Sequence, residues 1–126
     1  MTSKNNTIPL VTICCITYNH ENFIKQALDG FLSQEVNFTY EILINDDAST
    51  DSTVSIIKEY QKKYPDVIKL ILQKENQFSQ GKRNMITRFL LPKARGKYVA
   101  LCEGDDYWTD VTKLQRQVDF MESHED

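Results

Sequence analysis

Lys97-Tyr98-Val99-Ala100-Leu101-Cys102-Glu103-Gly104-Asp105-Asp106-Tyr107-Trp108 reads as an apolar strand that stops in an acidic turn. Three carboxylates, Glu103, Asp105 and Asp106, fall within four residues. Acids crowded at the end of a buried strand are costly, because like charges repel and burial disfavours ionisation. A cation relieves both costs. Oxygen-only ligands in a short turn suit Mg²⁺ or Mn²⁺, and such an ion commonly also holds a phosphate. The turn therefore points to a metal that neutralises a phosphorylated ligand. The plainer reading is a solvated turn feeding the next helix; Leu101 before it and Trp108 after it argue for a partly buried setting.

Upstream, the same strand-then-polar-turn pattern recurs. Residues 10–16 (LVTICCI) form a nearly continuous apolar, β-branched run, as expected of a strand covered on both faces. It ends in Thr17-Tyr18-Asn19-His20, and Asn19 or His20 precedes a helix with Phe23 or Ile24, Ala27 or Leu28, and Phe31 or Leu32 at helical spacing. Residues 40–44 are a second strand, ending in Asn45-Asp46-Asp47-Ala48-Ser49-Thr50-Asp51-Ser52, a turn rich in helix-capping residues. The helix after it is expected to bury Val54, Ile57 and Tyr60, and Pro65 closes it. Residues 67–72 are a third strand. Residues 84–93 predict a short helix that Pro92 ends or kinks. After the fourth strand, a last helix carries Leu114, Val118 and Met121.

Strands alternating with helices indicate an α/β fold with an open, mostly parallel sheet and helices on both faces. In such a sheet, ligands bind outside the carboxyl ends of the strands. The turns at Thr17-Tyr18-Asn19, Asp46-Asp47 and Glu103-Gly104-Asp105-Asp106 then share one rim. Each also has a plainer reading: Tyr18 and Asn19 as a strand-end aromatic and a cap, Asp46, Asp47 and Asp51 as acids complementing a helix dipole. Their convergence, more than any one motif, argues for a site.

The 126 residues suit a single domain with a real core, and the 40% hydrophobic, 26% charged composition is ordinary for a soluble globular protein. A net charge of −3 with no basic tract argues against a nucleic-acid partner. Residues 1–9 are polar, and no segment approaches a membrane span, so a cytoplasmic location is expected. Cys14, Cys15 and Cys102 sit in apolar strands without CxxC or His spacing, which reads as reduced core cysteine rather than zinc. His20 and His124 read as surface or capping residues. A phosphoacceptor receiver would need acids after the first strand, and a P-loop or dinucleotide fold needs a glycine-rich loop there; neither is present.

Four stretches in order carry a resemblance: residues 11–19, residues 41–51, residues 96–101 and residues 103–108, with residues 113–118 following. Together they resemble the N-terminal, nucleotide-sugar-binding part of a family 2 glycosyltransferase of the GT-A fold, over about residues 10–121. The resemblance implies transfer of a sugar from a nucleoside-diphosphate sugar, UDP-linked by preference, to a glycan or lipid-linked acceptor, with inversion and with help from Mn²⁺ or Mg²⁺. It implies that Tyr18 lines the nucleobase pocket, that Asp47 accepts a hydrogen bond from the base, and that Asp46 and Asp51 shape that turn. Asp105 matches the metal-binding acid of the DxD motif. Glu103 replaces its usual first Asp, so it is expected on the ribose or the metal. Lys82, Arg83 and Arg88 form a basic stretch from which one side chain approaches the diphosphate, or which is simply a solvated face.

Members of that family are longer, and their acceptor-binding half follows the metal motif. The chain is accordingly expected to be the donor-binding half, truncated before the acceptor half, and no residue in it is assigned as the catalytic base. A longer form is expected at the inner membrane face. An unpaired edge on the fourth strand favours a homodimer. The competing expectation is a non-catalytic module that binds a nucleotide or nucleotide sugar without transfer.

Overall fold

A computed structural model describes residues 8–124; the polar start of the chain before residue 8 lies outside the described residues. The elements run β1 (Val11–Thr17), α1 (Ile24–Leu32), β2 (Tyr40–Asp46), α2 (Thr53–Lys63), β3 (Ile68–Leu72), β4 (Tyr98–Glu103) and α3 (Lys113–Ser123). The four strands form one parallel sheet in the order β3-β2-β1-β4. Steps from β1 to β2 to β3 move one way across the sheet, and the step to β4 reverses. Right-handed crossovers therefore require α1 and α2 on one face and the β3–β4 connection on the other.

Side-chain alternation along the strands shows this division. Val11, Ile13 and Cys15 join Ile42, Ile44 and Ile68 beneath Ile24, Ala27, Leu28 and Phe31 of α1, Ile57 of α2, and Leu114 and Val118 of α3. The buried apolar cluster of the opposite face is smaller, Cys14, Leu43 and Leu90 among the described residues, with Ile16, Ile71 and Ile86 packed around them. All three cysteines are buried and free.

The β3–β4 connection departs from the expected helix over residues 84–93. It contains a 3₁₀ turn, Phe78–Gln80, then a π-helical turn, Ile86–Leu90, and a 3₁₀ turn, Leu91–Lys93. Pro92 has no N–H to give to a carbonyl one turn back, and its ring crowds that carbonyl, so regular α-helix cannot run through it. The chain winds wide before the proline and tight across it. Leu90, fully buried, anchors this cover to the sheet. Helical cover thus lies on both faces, as three α-helices on one and short π and 3₁₀ turns on the other.

Three expected core positions differ, Met121, Val54 and Tyr60. Met121 is 50% exposed because Leu114 and Val118 already supply the packed face of α3. In α2 only Ile57 of the three expected apolar residues is fully buried, and Thr53 is buried beside it. No helix among the described residues is long and apolar enough to cross a membrane.

Candidate functional site

The reversal of strand order lies between β1 and β4, where Ile16 pairs with Glu103. A crevice opens at such a reversal, outside the carboxyl ends of the strands. Its walls are the three polar turns and the start of the β3–β4 connection.

The first two turns are tied together by side chains. Thr17 Oγ1 donates to Asp46 Oδ1 at 2.7 Å, and Asp46 also accepts from Ser49 N at 2.9 Å and Ser49 Oγ at 2.6 Å. Asn19, in the left-handed region at φ 52°, accepts from Thr50 N at 2.8 Å, while its own N–H donates to Ser49 Oγ. Asp51 accepts from Thr53 N at 2.9 Å, Thr53 Oγ1 at 2.6 Å and Glu21 N at 3.2 Å. What little burial it has would raise its carboxyl, but these bonds win and hold it below the usual carboxylate range. Asp46 and Asp51 are therefore internal acceptors of the turn. Neither lines the crevice.

Asp47 does line it, with Tyr18, Phe78 and Glu103, around a cavity of about 320 Å³. Its two carboxylate oxygens accept from Gln77 N at 2.7 Å and Phe78 N at 3.1 Å. Asn76 Nδ2 donates to the Asp47 carbonyl at 2.9 Å. Asp47 thus holds the start of the β3–β4 connection against the rim, and each oxygen keeps a second lone pair for a ligand. Tyr18, 45% exposed, presents an aromatic surface in the same cavity.

The acidic turn follows β4. Gly104 donates its N–H to Ile16 O at 2.9 Å. A Cβ there would lie 2.6 Å from Thr17 Cγ2 and 2.8 Å from His20 Nδ1, so only glycine lets this turn pack against the end of β1. Trp108 anchors the far side, its ring edge-on to Phe31 at 4.8 Å and beneath Lys113 Nζ at 4.2 Å. Glu103, Asp105 and Asp106 line a neighbouring cavity of about 440 Å³ that shares Glu103 and Ile16 with the first. Asp105 is about half exposed, with His20 Nε2 3.8 Å from its Oδ2. One Asp106 oxygen accepts from Tyr107 N at 2.8 Å.

The donor set fits a hard divalent cation, which takes oxygen ligands and leaves much of its shell to water and phosphate. Among the described residues no three acidic, histidine or cysteine side chains form a ready-made metal cage. One or two carboxylates with a diphosphate completing the shell is the arrangement these residues can offer, from Asp105 and Glu103. The thiols add nothing to it. Burial pushes Cys102 up to about 11, with the Asp106 charge adding to this, and burial likewise raises Cys15 well above its ordinary value.

The basic stretch lies beside the first cavity. Lys82 Nζ donates to Gln77 Oε1 at 2.8 Å, and the Arg83 guanidinium stacks on Phe78 at 4.0 Å. Arg88 turns back to donate to Arg83 O at 3.3 Å. Reading the strands and turns did not single out Phe78, Asn76, Met85 or Asn45, all of which line the first cavity. The signal available for Asn45 was a polar residue at a position that otherwise continues a buried strand.

Comparison with known proteins follows the same outline. The model of the family described as Glycosyl transferase family 2 matches residues 12–126. The uncharacterized protein Rv1520 of Mycobacterium tuberculosis (strain ATCC 25618 / H37Rv) is 46% identical over 114 residues, 90% of this chain and 32% of that protein. The Escherichia coli UDP-Glc:alpha-D-GlcNAc-diphosphoundecaprenol beta-1,3-glucosyltransferase WfaP is 34% identical over 116 residues, 90% of this chain and 42% of that protein. Among solved structures, the mannosyltransferase PcManGT from Pyrobaculum calidifontis, in complex with GDP-Man and Mn²⁺, aligns with a TM-score of 0.76 at 25% identity, over 93% of this chain and 33% of that one. The chain spans less than half the length of these relatives.

Proposed function

The chain belongs to glycosyltransferase family 2, with a sheet of the GT-A kind, and on that premise we propose that its carboxyl rim binds a nucleoside-diphosphate sugar with a divalent cation. The protein to which the rim belongs would transfer the sugar, with inversion, to a glycan or lipid-linked acceptor. The observation that carries this reading is the joining of two cavities at Glu103. One holds an aromatic ring and a carboxylate acceptor, Tyr18 and Asp47; the other holds the acids Asp105 and Asp106. A nucleotide laid across them puts its base against Tyr18 and Asp47 and its diphosphate against the acidic turn.

Support for the donor class comes from relatives whose names specify UDP-Glc and GDP-Man, and for the cation from the Mn²⁺ named with the latter. A diphosphoundecaprenol-linked acceptor is named for the Escherichia coli relative. Negative charge grows on the diphosphate as the glycosidic bond breaks, and a bound divalent ion would stabilise it. The residues of this chain hold the donor: Asp47 accepts a base N–H, Tyr18 packs against the base, and Glu103 lies between base and metal sides. Lys82 and Arg83 flank the cavity with positive charge.

Calorimetric titration of the chain with UDP and GDP, with and without Mn²⁺, tests the reading. Asp105→Asn is expected to weaken metal-dependent binding at least tenfold, equivalent to about 1.4 kcal/mol, and more than Asp106→Asn does. Equal affinity in wild type and both variants removes the assignment.

A further inference from the structure

Buried polar atoms in folded proteins nearly always have a partner, and each exception calls for an explanation. Among the described residues two buried side-chain polar atoms have none: Asn45 Nδ2 and His20 Nδ1. Both residues line the cavity that holds Tyr18 and Asp47. Asn45 is the sharper case, 1% exposed and at the floor of that cavity. Its Oδ1 accepts from Gln73 Nε2 at 2.8 Å, which leaves the amide nitrogen as a donor with nothing to donate to. Exchanging oxygen and nitrogen on both amides would keep the bond but make the unpaired Asn45 atom an acceptor, so the donor assignment rests on the amide orientation of this structure, in which Gln73 donates and Asn45 accepts.

Asn45 and Asp47 are two residues apart at the end of β2, so their side chains leave the same face of the sheet. One offers an N–H donor and the other a carboxylate acceptor to the same cavity. We propose that Asn45 is a base-specificity residue, its amide N–H donating to a base carbonyl that flanks the N–H accepted by Asp47. The pair reads an imide edge, a C=O beside an N–H. Uracil and guanine carry that edge. Cytosine and adenine both face Asp47 with a bare ring nitrogen, an acceptor against an acceptor; adenine, and cytosine read at its C4 side, also face Asn45 with an amine donor, whereas cytosine read at its C2 side keeps a carbonyl there. Leaving buried groups unpaired is what makes such a site reject the wrong ligand. The inference rests on the nucleotide-binding reading and goes beyond it in assigning the donor half of base recognition.

The test is calorimetric titration of the 126-residue chain, in Mn²⁺, with UDP, GDP, CDP and ADP. Wild type is expected to prefer UDP or GDP over both amino bases. Asn45→Leu is expected to weaken the preferred nucleotide about tenfold, the loss of one neutral hydrogen bond, and to leave ADP unchanged. Gln73→Leu removes the neighbouring amide bond but keeps the donor, and is expected to retain the preference. Ligand variants ask the same question of the unaltered protein: where UDP is preferred, either its 2-thio or its 4-thio form binds about tenfold more weakly, because sulfur is a poor acceptor; where GDP is preferred, its 6-thio form does. Thio forms that bind as well as their parents, or an Asn45→Leu chain that keeps its base preference, overturn the inference while leaving nucleotide binding intact. Wild type that binds none of the four overturns both.

Discussion

The two faces of the sheet solve the burial problem differently. The face under α1, α2 and α3 is a closed apolar layer, with Phe31, Ile13, Ile42 and Ile44 fully buried. The face under the β3–β4 connection has a thin apolar seal around Leu90 and, at its carboxyl end, a cavity where polar groups such as Asn45 and Asp47 stand among apolar ones, and it leaves Val99 and Leu101 of β4 exposed. A binding rim needs an open, polar wall on a support that does not move. The first face supplies the support and the second the opening.

The largest expected effect lies on the closed face. Phe31→Ala removes a fully buried ring that also meets Trp108, and should cost about 3–5 kcal/mol in urea unfolding. Leu90→Ala on the open face should cost nearer 2 kcal/mol, because its partly exposed neighbours can close over the gap. A larger loss for Leu90→Ala than for Phe31→Ala would reverse the comparison.

Next is Asp47, where the open face meets the rim. Asp47→Ala takes the acceptor from Gln77 N and Phe78 N as well as from the base. Nucleotide binding should weaken by about 1.5–3 kcal/mol, with discrimination among bases flattened. Amide exchange at Gln77 and Phe78 should speed up in the same variant. Unchanged exchange there would mean that the carboxylate does not hold the connection.

A smaller effect comes with pH. Burial raises Cys14 and Cys102, on opposite faces, from 9.0 to about 11. The folded chain keeps these protons when the unfolded chain has lost them, so their contribution is intact below about pH 9 and is lost as pH rises towards about 11. The urea midpoint should fall between about pH 8 and about pH 10.5, and Cys14→Ala should flatten that slope. A slope indifferent to the substitution would place its cause elsewhere.

The smallest effect concerns association. β4 is an edge of the sheet, and Leu101, 57% exposed, lies on its open face. Exposed apolar edges favour pairing with another chain. Sedimentation should show concentration-dependent dimers that Leu101→Lys reduces, with the unfolding midpoint little changed. A monomer at all concentrations would count against the edge as a self-association surface.

Much of this was legible along the chain because the interactions that decide it are local or periodic. The apolar run at residues 10–16 becomes β1, Val11–Thr17, and the strand before Glu103 becomes β4 within a residue of its expected bounds. Tyr18, Asp47 and Glu103 could be named because strand ends in a parallel sheet share a rim. Other features could not be read this way. The π turn over Ile86–Leu90 depends on what Pro92 forbids and on where Leu90 must land. The division of labour among Asp46, Asp47 and Asp51 is set by partners such as Thr17, 29 residues from Asp46, and Gln77, 30 residues from Asp47.

By itself, then, the sequence determined the alternation of strands and helices, the parallel sheet and the acidic turn after β4, because apolar periodicity and turn chemistry act over a few residues. Only the tertiary structure decided which acids face the cavity and which are spent inside the turn, and that the Asn45 Nδ2 is left without a partner. Those outcomes depend on which distant donors and acceptors the crossovers bring to the rim, and hydrogen bonding is satisfied or left unsatisfied only once the chain has closed on itself.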